Sequence, residues 1–318
     1  MSASPSAAPL SLGSPSLGAA GRFGRTPLIA HWRAFATAAR LGWLMEANWT
    51  DPFLFFVYSV AKPLAATLIL VLMVLVIGGA SSAEFRAFVV VGSALWSFVV
   101  GGIAGLAWSI LDDRERYRML KYLYVSSSAF AVVLIGRGTA RVAIGAVGAL
   151  VTLTVGVGFL GVRLDPGRID WLLLVGSMAF GLVAILALGV LLASVILQTR
   201  QESWSYPEAV AGALFLIVGA VFPLSVLPPV VQAVGLAMPL TWWLAGVRQA
   251  LFPGSISSVG GPGSLFAQLS GHASPQSGEI LVALLVTAAV VTLGSGVAFR
   301  AAQRRVMQKG LIDLTTGS

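Results

Sequence analysis

Long stretches of this sequence contain no charged residue. No Asp, Glu, Lys or Arg occurs from Ala209 to Val247, a run of 39 residues, and Phe88–Leu111 is a second such run of 24 residues. Hydrophobic residues make up 57% of the chain and charged residues only 10%, whereas soluble domains carry roughly 25% charged residues. These runs predict an integral membrane protein of the α-helical type. They exclude a soluble globular enzyme, a disordered chain and a secreted disulfide scaffold.

The apolar runs predict an all-α membrane protein with six transmembrane helices. About 20 helical residues cross the ~30 Å hydrocarbon core of a bilayer. The run that starts at Ala209 is too long for one crossing, and it contains Pro223, Pro228, Pro229 and Pro239. We therefore expect a fifth span that ends near Pro223, and then a bent, re-entrant helical segment before span six. The predicted spans are Pro52–Ile77, Phe88–Leu111, Val142–Val162, Trp171–Leu197, Ala209–Pro223 and Ile280–Phe299.

Lys and Arg are distributed unevenly between the two sides that these spans define. With the N-terminus placed inside, fifteen of them fall on the inner side and four on the outer side. Because basic loops stay in the cytoplasm, this imbalance predicts a multi-pass protein of the plasma (inner) membrane with both termini cytoplasmic. The net charge of +8 then reflects orientation and anionic lipids, and not nucleic acid. Arg137 and Arg141, before the third predicted span, are interpreted as anchors for lipid phosphates.

The segments outside the spans divide the chain further. Residues 1–26, rich in Ser, Ala, Pro and Gly, are predicted to be a disordered cytoplasmic tail. Residues 27–50 are predicted to form an amphipathic helix in the membrane interface, and residues 51–305 the six-span domain. Residues 306–318 are predicted to be a second cytoplasmic tail. The apolar face of the interfacial helix consists of Leu28, Trp32, Phe35, Ala39 and Trp43.

A dense cluster of charges follows the second span. Residues 112–123 read DDRERYRMLKYL, and Leu120, Leu123 and Tyr124 recur at helical spacing. Such a helix can present apolar and charged side chains to a partner at the cytoplasmic face. On composition alone, a solvated loop that ends the preceding span is an equally good interpretation.

Two segments resemble the membrane subunit of type-2 ABC exporters. Ser109–Arg137 resembles the family's charged pattern, which ends in a leucine run and Gly-Arg. This sequence departs from the pattern at residues 117–121, which read YRMLK where the family often has Gly-Thr and a second Glu. In Leu214–Leu251 the pattern is that of a fifth span and two short re-entrant helices, with Met238 in place of a common Asn. The matching residues are Glu115, Arg116, Leu120, Leu123, Ser126, Gly136 and Arg137 in the first segment, and Gly219, Phe222, Pro223, Leu227, Pro228, Pro239, Leu240, Thr241 and Arg248 in the second.

The resemblance implies a transport complex rather than a lone protein. It implies two ABC ATPase subunits and a second permease copy or a sister permease, in a bilayer whose lipids also contact the chain. ATP and Mg would be bound by the ATPase partner, so that this chain needs no cofactor of its own. The residues implied to couple to the ATPase are Arg114, Glu115, Arg116, Leu120 and Leu123, and those of an outer gate are Pro223, Pro228, Pro239 and Arg248.

Individual residues in the spans allow more than one interpretation. Lys62 is an intramembrane charge, which is a functional candidate by default, but its side chain can also snorkel to the interface. Arg248 can close the outer gate by pairing with Glu279, Asp165 or Asp170, or it can be solvated. Aromatic residues can line an apolar path or simply pack against helices and lipid. The candidates for the path are Lys62, Trp96, Phe98, Trp108, Phe215 and Phe222.

The sequence carries no signature of catalysis. It has no cysteine, only two histidines far apart, and no Gly-x-x-x-x-Gly-Lys-Ser/Thr loop for ATP. We therefore expect a transport subunit, not an enzyme, without a metal site. The spans suggest a lipophilic or amphipathic substrate such as a drug-like compound or lipid. The alternatives are export of a polysaccharide or glycolipid and, from another class, an ATP-independent secondary carrier or a membrane scaffold.

Overall fold

A computed structural model describes residues 27–47, 51, 53–54, 57, 61–78, 83–125, 129–199, 203–254 and 256–309. All regular structure in these ranges is helical, which confirms the all-α fold class. The predicted tail 1–26, Ser126, residues 310–318 of the second predicted tail, and residues 52, 55, 56 and 58–60 of the first predicted span lie outside the described residues. The helices are α1 Pro27–Ala47, α2 Lys62–Gly78, α3 Ala83–Arg116, α4 Leu120–Val125, α5 Phe130–Gly158, α6 Trp171–Gln198, α7 Tyr206–Ile217, α8 Pro229–Ala237, α9 Pro239–Leu251, α10 Leu265–Ser270 and α11 Ser277–Gln308.

Four of these helices are long and apolar enough to cross a membrane: α3, α5, α6 and α11. Two predicted spans correspond to shorter apolar helices, Leu64–Met73 within α2 and Tyr206–Ile217. The latter is 12 residues long, or about 18 Å at 1.5 Å per residue. It ends before Pro223 because the chain turns at Gly219, which has a φ of +75°. The count of six spans remains a prediction.

Helices α8 and α9 form one bent unit. They meet at Met238 at an angle of 82°, because Pro239 starts α9 and cannot continue the hydrogen bonding of α8. A bent pair of this kind is either a broken span or a re-entrant loop. It lies where the sequence predicts a re-entrant segment. Because the same bend fits a broken span, the re-entrant path stays a prediction.

Hydrogen bonds between helix termini define the two ends of the bundle. Arg114, in the last turn of α3, bonds to the carbonyl oxygens of Ile196 and Thr199 at the end of α6. Arg305, near the end of α11, reaches Gln198. We call this the basic end, because it also carries Arg116, the last residue of α3, and Arg118 and Lys121 of the loop and short helix that follow. At the opposite end, the backbone N–H of Asp170 bonds to Ala250 and Arg86 bonds to Leu160.

Helix α1 packs on α5 through small residues. Ala38 and Gly42, one turn apart, are buried, and Gly136 and Ala140 of α5 face them. A Cβ at Gly136 would lie 2.7 Å from the carbonyl oxygen of Phe35, so the two backbones approach closely, as small residues permit. Large apolar side chains of α1 stay outside this contact, and Trp32 is 67% exposed. This arrangement agrees with an apolar face turned toward lipid.

Helix α5 begins before the third predicted span. It starts at Phe130, so Arg137 and Arg141 lie inside the helix. The sequence analysis predicted only the membrane-crossing part of this helix, and the start of that part near Val142 stays a prediction. Both cations are paired with acidic side chains, as described below, and paired charges need not end an apolar helix.

Helix α3 is continuous but changes its winding twice. Residues Val100–Ala104 and Asp112–Arg116 are π-helical, between α-helical segments. The first π segment packs closely on its neighbours: a Cβ at Gly101 would lie 2.6 Å from the carbonyl oxygen of Arg141. π segments often occur at functional sites, and both of these border the cavities described in the next section.

Helix α6 lies at the centre of the bundle, between α3, α9 and α11. Trp243 of α9 is fully buried against Gly181 of α6, where no Cβ would fit. Its ring meets that of Phe98 edge to face, with centroids 6.1 Å apart. About two turns further along α6, Gly189 approaches Gly102. Glycines therefore set the distance between the central helices.

We predict that Gly189→Ala destabilises the protein whereas Gly294→Ala does not. A Cβ at Gly189 would lie 2.5 Å from the carbonyl oxygen of Gly102, which is backbone and must shift; strain of this kind costs about 1–3 kcal/mol. Gly294, within α11, has open space around the same position, so alanine there gains up to about 1 kcal/mol of helix propensity. Thermal unfolding in detergent, followed by tryptophan fluorescence, measures both. Equal melting temperatures for the two variants would contradict this account of the packing.

Candidate functional site

An apolar cavity of about 420 Å³ lies between α2, α3 and α5. Trp96, Trp108 and Phe215 contribute aromatic walls, and the Trp96 and Phe215 rings meet edge to face at 4.8 Å. Val100, Gly101 and Ala104 of the first π segment also line it. Its polar lining consists of Glu46, Lys62, Thr67, Ser93, Ser97 and Arg141.

The structure places four of the six predicted path residues on this cavity. Lys62, Trp96, Trp108 and Phe215 line it. Phe98 instead packs against Trp243 in the core, and Phe222 is a half-buried residue that packs on the core. Phe98 is one position past Ser97, which does line the cavity, so it points to a different side of α3. The sequence analysis missed Arg141 as a lining residue.

A second cavity, of about 620 Å³, adjoins the first at the basic end. The two cavities share Glu46, Trp108 and Arg141 as lining residues, so these side chains lie between them. The second cavity is charged rather than apolar. We call it the charged cavity; its remaining lining residues are Met45, Asp112, Glu115, Arg116, Tyr117, Arg137 and Trp204.

A network of ion pairs lies at the boundary between the cavities. Arg141 of α5 pairs with Glu46 of α1 and, at 3.1 Å, with Asp112 of α3. One turn away, Arg137 pairs with Asp113, and their side chains are 8% and 4% exposed. The interpretation of Arg137 and Arg141 as anchors for lipid phosphates is wrong, since carboxylates within the protein bind both. The network ties α1, α3 and α5 together.

Arg114 is also buried, and it fastens the end of α3 to the end of α6. One guanidinium nitrogen lies 3.2 Å from the Ile196 oxygen and 2.9 Å from the Thr199 oxygen, and Nε lies 3.2 Å from Glu115. A cation at a helix C-terminus satisfies carbonyls that have no partner in the helix and opposes the negative end of its dipole. In the structure, Arg114 therefore connects helices and is not a surface residue.

The predicted coupling residues divide into a buried and an exposed set. Arg114 and Leu120 are buried, and Glu115 and Leu123 are half-buried. Arg116 is exposed, and its guanidinium lies 5.6 Å from the ring centre of Tyr117. Lys121 lies over Tyr122 in the same way, at 5.5 Å. We call the exposed set the basic patch; it consists of Arg116, Tyr117, Arg118, Lys121 and Tyr122.

At the opposite end, Arg248 is 3% exposed and holds the bend after α7. Its guanidinium donates to the carbonyl oxygens of Gly219, at 2.7 Å, and Ala220. It also lies 3.6 Å above the centre of the Phe88 ring. A Cβ at Gly92 would collide with this guanidinium, so the glycine makes room for it.

The acidic partners predicted for Arg248 bond elsewhere. Glu279 lies 3.0 Å from His272 and accepts from the backbone of Gln276. Asp170 caps α6 and Asp165 accepts from Gly167. Arg248 therefore forms no ion pair within the described ranges. Of the other predicted gate residues, Pro223 and Pro228 flank the 3₁₀ turn Leu224–Val226, and Pro239 begins α9.

The described residues contain no group of three His, Asp or Glu side chains that could hold a metal ion. The linings of the two cavities combine apolar walls with a few charged side chains.

The comparison with protein families decides the identity of this arrangement. The family model for the ABC-2 type transporter matches residues 39–252. The chain belongs to the ABC-2 type transporter family. It is a permease subunit of an ABC transporter, and such a subunit associates with ABC ATPases and is not itself catalytic. This confirms the resemblance seen in the sequence. No curated protein matches the chain closely enough to narrow its function further.

We predict that Arg137→Met destabilises the permease by about 3–5 kcal/mol, because it leaves Asp113 buried without its counter-charge. Arg304→Met, at an exposed position of α11, is the matched control and should change stability by less than about 0.5 kcal/mol. The double variant Asp113→Leu with Arg137→Met should recover most of the loss, since no charge stays buried. Thermal unfolding in detergent measures all three. A double variant as unstable as Arg137→Met would show that the pair matters for more than charge balance.

Proposed function

We propose that this chain is the membrane-spanning subunit of an ATP-driven exporter for lipophilic or amphipathic molecules. ATP would be hydrolysed by a separate chain, because this sequence has no phosphate-binding loop. The observation that carries the proposal is the apolar cavity with aromatic walls, which adjoins a charged cavity at the basic end. Cavities of roughly 300–1,000 Å³ accommodate drug-sized molecules, and about 420 Å³ falls in this range.

We place the basic end in the cytoplasm. The exposed cations Arg116, Arg118, Lys121, Arg300 and Arg304 are at this end, and basic residues collect on the cytoplasmic side of a membrane. The proposed topology has six spans in the plasma (inner) membrane, with both termini inside. In it, α2 and α7 belong to the first and fifth spans, and α8 and α9 re-enter from the outside.

The basic patch is the proposed docking site for the ATPase. The exposed positions make the contact, whereas Arg114 and Leu120 act from inside by holding the end of α3 in place. This revises the coupling set of the sequence analysis from a leucine-bearing surface to a cationic and aromatic one. A cationic patch with aromatic side chains suits an acidic groove on the partner.

We propose that the complex contains two ATPase subunits and two permeases, either two copies of this chain or one copy and a sister subunit. Large apolar side chains cover the outward faces of α2 and α11, among them Ile69, Leu72, Val290 and Leu293. Lipid or a second permease can cover such faces.

The proposal is tested by purifying the tagged chain from its native membrane in a gentle detergent. The expected result is a stoichiometric partner with a phosphate-binding loop and vanadate-sensitive ATP hydrolysis. A chain that purifies alone and shows no associated ATPase after crosslinking in the membrane would instead support a carrier or a scaffold.

We predict that Arg116→Glu combined with Arg118→Glu reduces the amount of co-purified ATPase at least about fivefold. Reversing two exposed charges replaces attraction to an acidic partner with repulsion. Each ion pair between an exposed arginine and an acidic residue of the partner is worth up to about 1 kcal/mol. The control is Arg300→Glu with Arg304→Glu, which makes the same charge change on α11, also at the basic end. Quantitative immunoblotting of the purified complex measures the ratio. Equal losses in both double variants would mean that total charge, not the basic patch, governs docking.

A further inference from the structure

We propose that Lys62 makes the apolar cavity selective for amphipathic anions, molecules with one acidic group and an apolar body. The proposal rests on the proposed function, because it concerns the substrate class of the same cavity. Nothing in the family assignment fixes the charge of the substrate. The charged side chains that line the cavity determine which substrate charge it favours.

Lys62 is the cation in this lining for which the described residues provide no acidic partner. Arg141 pairs with Glu46, the acid that lines the same cavity, and also with Asp112, which lines only the charged cavity. Lys62 takes part in no ion pair or hydrogen bond with another residue in the part of the chain that the structure describes. The lining therefore carries two cations and one acid, and the surplus positive charge resides on Lys62.

Lys62 is an exposed residue on the lining of this cavity, and an unpaired charge there favours an occupant of opposite charge. Within a membrane, ionisable side chains pair with one another or mark the pathway of a substrate. A carboxylate, sulfate or phosphate group next to Lys62 would form a charge-assisted hydrogen bond. An ammonium group at the same place would be repelled, and a neutral molecule would leave the charge unpaired.

Hydroxyl groups add donors for an acidic group. Ser93 is a lining residue of the cavity, and its Oγ is buried without a hydrogen-bond partner among the described residues. A buried polar atom without a partner is rare in native proteins and calls for an explanation. An anion held between Lys62 and the serines of α3 supplies one.

The remaining walls suit an apolar body. Trp96, Phe215 and Trp108 offer flat aromatic surfaces, and Leu70 and Ile144 offer aliphatic ones. The volume of about 420 Å³ accommodates one drug-sized or single-chain molecule. The acidic group can belong to a free amphipath or to a lipid of the bilayer whose chain enters the cavity. The chemistry recognised by Lys62 is the same in both cases.

The test uses three matched probes: a terminally brominated fatty acid, the corresponding alcohol and the corresponding alkyl trimethylammonium. Bromine quenches tryptophan on contact, so Trp96 and Trp108 report binding. The full permease is placed in nanodiscs of phosphatidylcholine, and saturable quenching is separated from the linear quenching that partition into lipid produces. We expect the acid to bind at least about tenfold more tightly than the ammonium probe. Trp96→Phe should reduce the saturable quenching amplitude.

Variants at position 62 test the cause of the preference. Lys62→Gln should reduce the affinity for the acid about tenfold and remove its advantage, whereas Lys62→Arg should keep it. Lys121→Gln, which removes the same charge from the basic patch, is the control and should leave the preference unchanged. Nanodiscs that contain phosphatidylglycerol distinguish the two sources of the acidic group, a free amphipath and a lipid of the bilayer. Competition with the brominated acid would identify a bilayer lipid as an occupant, and no competition would point to a free amphipath.

The outcomes separate the two proposals. Equal affinity of the wild-type protein for the acid and the ammonium probe, or a preference that survives in Lys62→Gln, would overturn the inference and leave the permease function standing. The comparison of the acid and ammonium probes on the wild-type protein tests the inference even if Lys62→Gln does not fold. Absence of saturable binding for all three probes, together with absence of an ATPase partner, would overturn the proposed function itself.

Discussion

The paired charges at the basic end are the interaction on which the rest of this structure depends. Asp113 and Arg137 are buried at the level where α3 and α5 cross, and Arg141 joins Glu46 of α1 to Asp112 of α3. Without these pairs, several charges would lie in apolar surroundings at high cost. With them, α5 can begin at Phe130, α1 can pack on it through Ala38 and Gly42, and the wall between the two cavities can form.

Hydropathy and proline positions sufficed to predict the all-helical fold and the long helices α3, α6 and α11. They also located the bend that Pro239 causes. They did not predict the first turns of α5, which carry Arg137 and Arg141, because the acidic partners of these cations lie 24 and 29 positions earlier in the sequence. A charge pair between two helices leaves no local pattern. The π segments of α3, the first of which packs on the backbone of Arg141, are likewise not visible in the sequence alone.

The types of residue that line the candidate site could be predicted from the sequence, but not which of those residues face the cavity. The sequence suggests that aromatic residues and Lys62 line a path, yet it does not tell which face of a helix meets the cavity. Phe98 and Trp96 are both apolar and two residues apart, and only Trp96 lines the cavity. Arg248 shows the same limit. Its position suggested a gate closed by an acid, but its guanidinium donates to carbonyl oxygens at the Gly219 turn. The sequence does not show which backbone carbonyls are available as acceptors.

Helix α3 connects the apolar cavity, the ion pairs and the basic patch. Along one continuous helix the chain passes from the apolar cavity at Ser93–Trp108, to the ion pairs of Asp112 and Asp113, to the basic patch at Arg116. Arg114 fixes this helix to the end of α6, so a displacement of the patch acts on two central helices at once. Arg141 bonds to Glu46 and Asp112 at the same time, so the boundary between the cavities joins α3 to both α1 and α5. A movement of α3 relative to α1 therefore has to break or lengthen one of these two ion pairs.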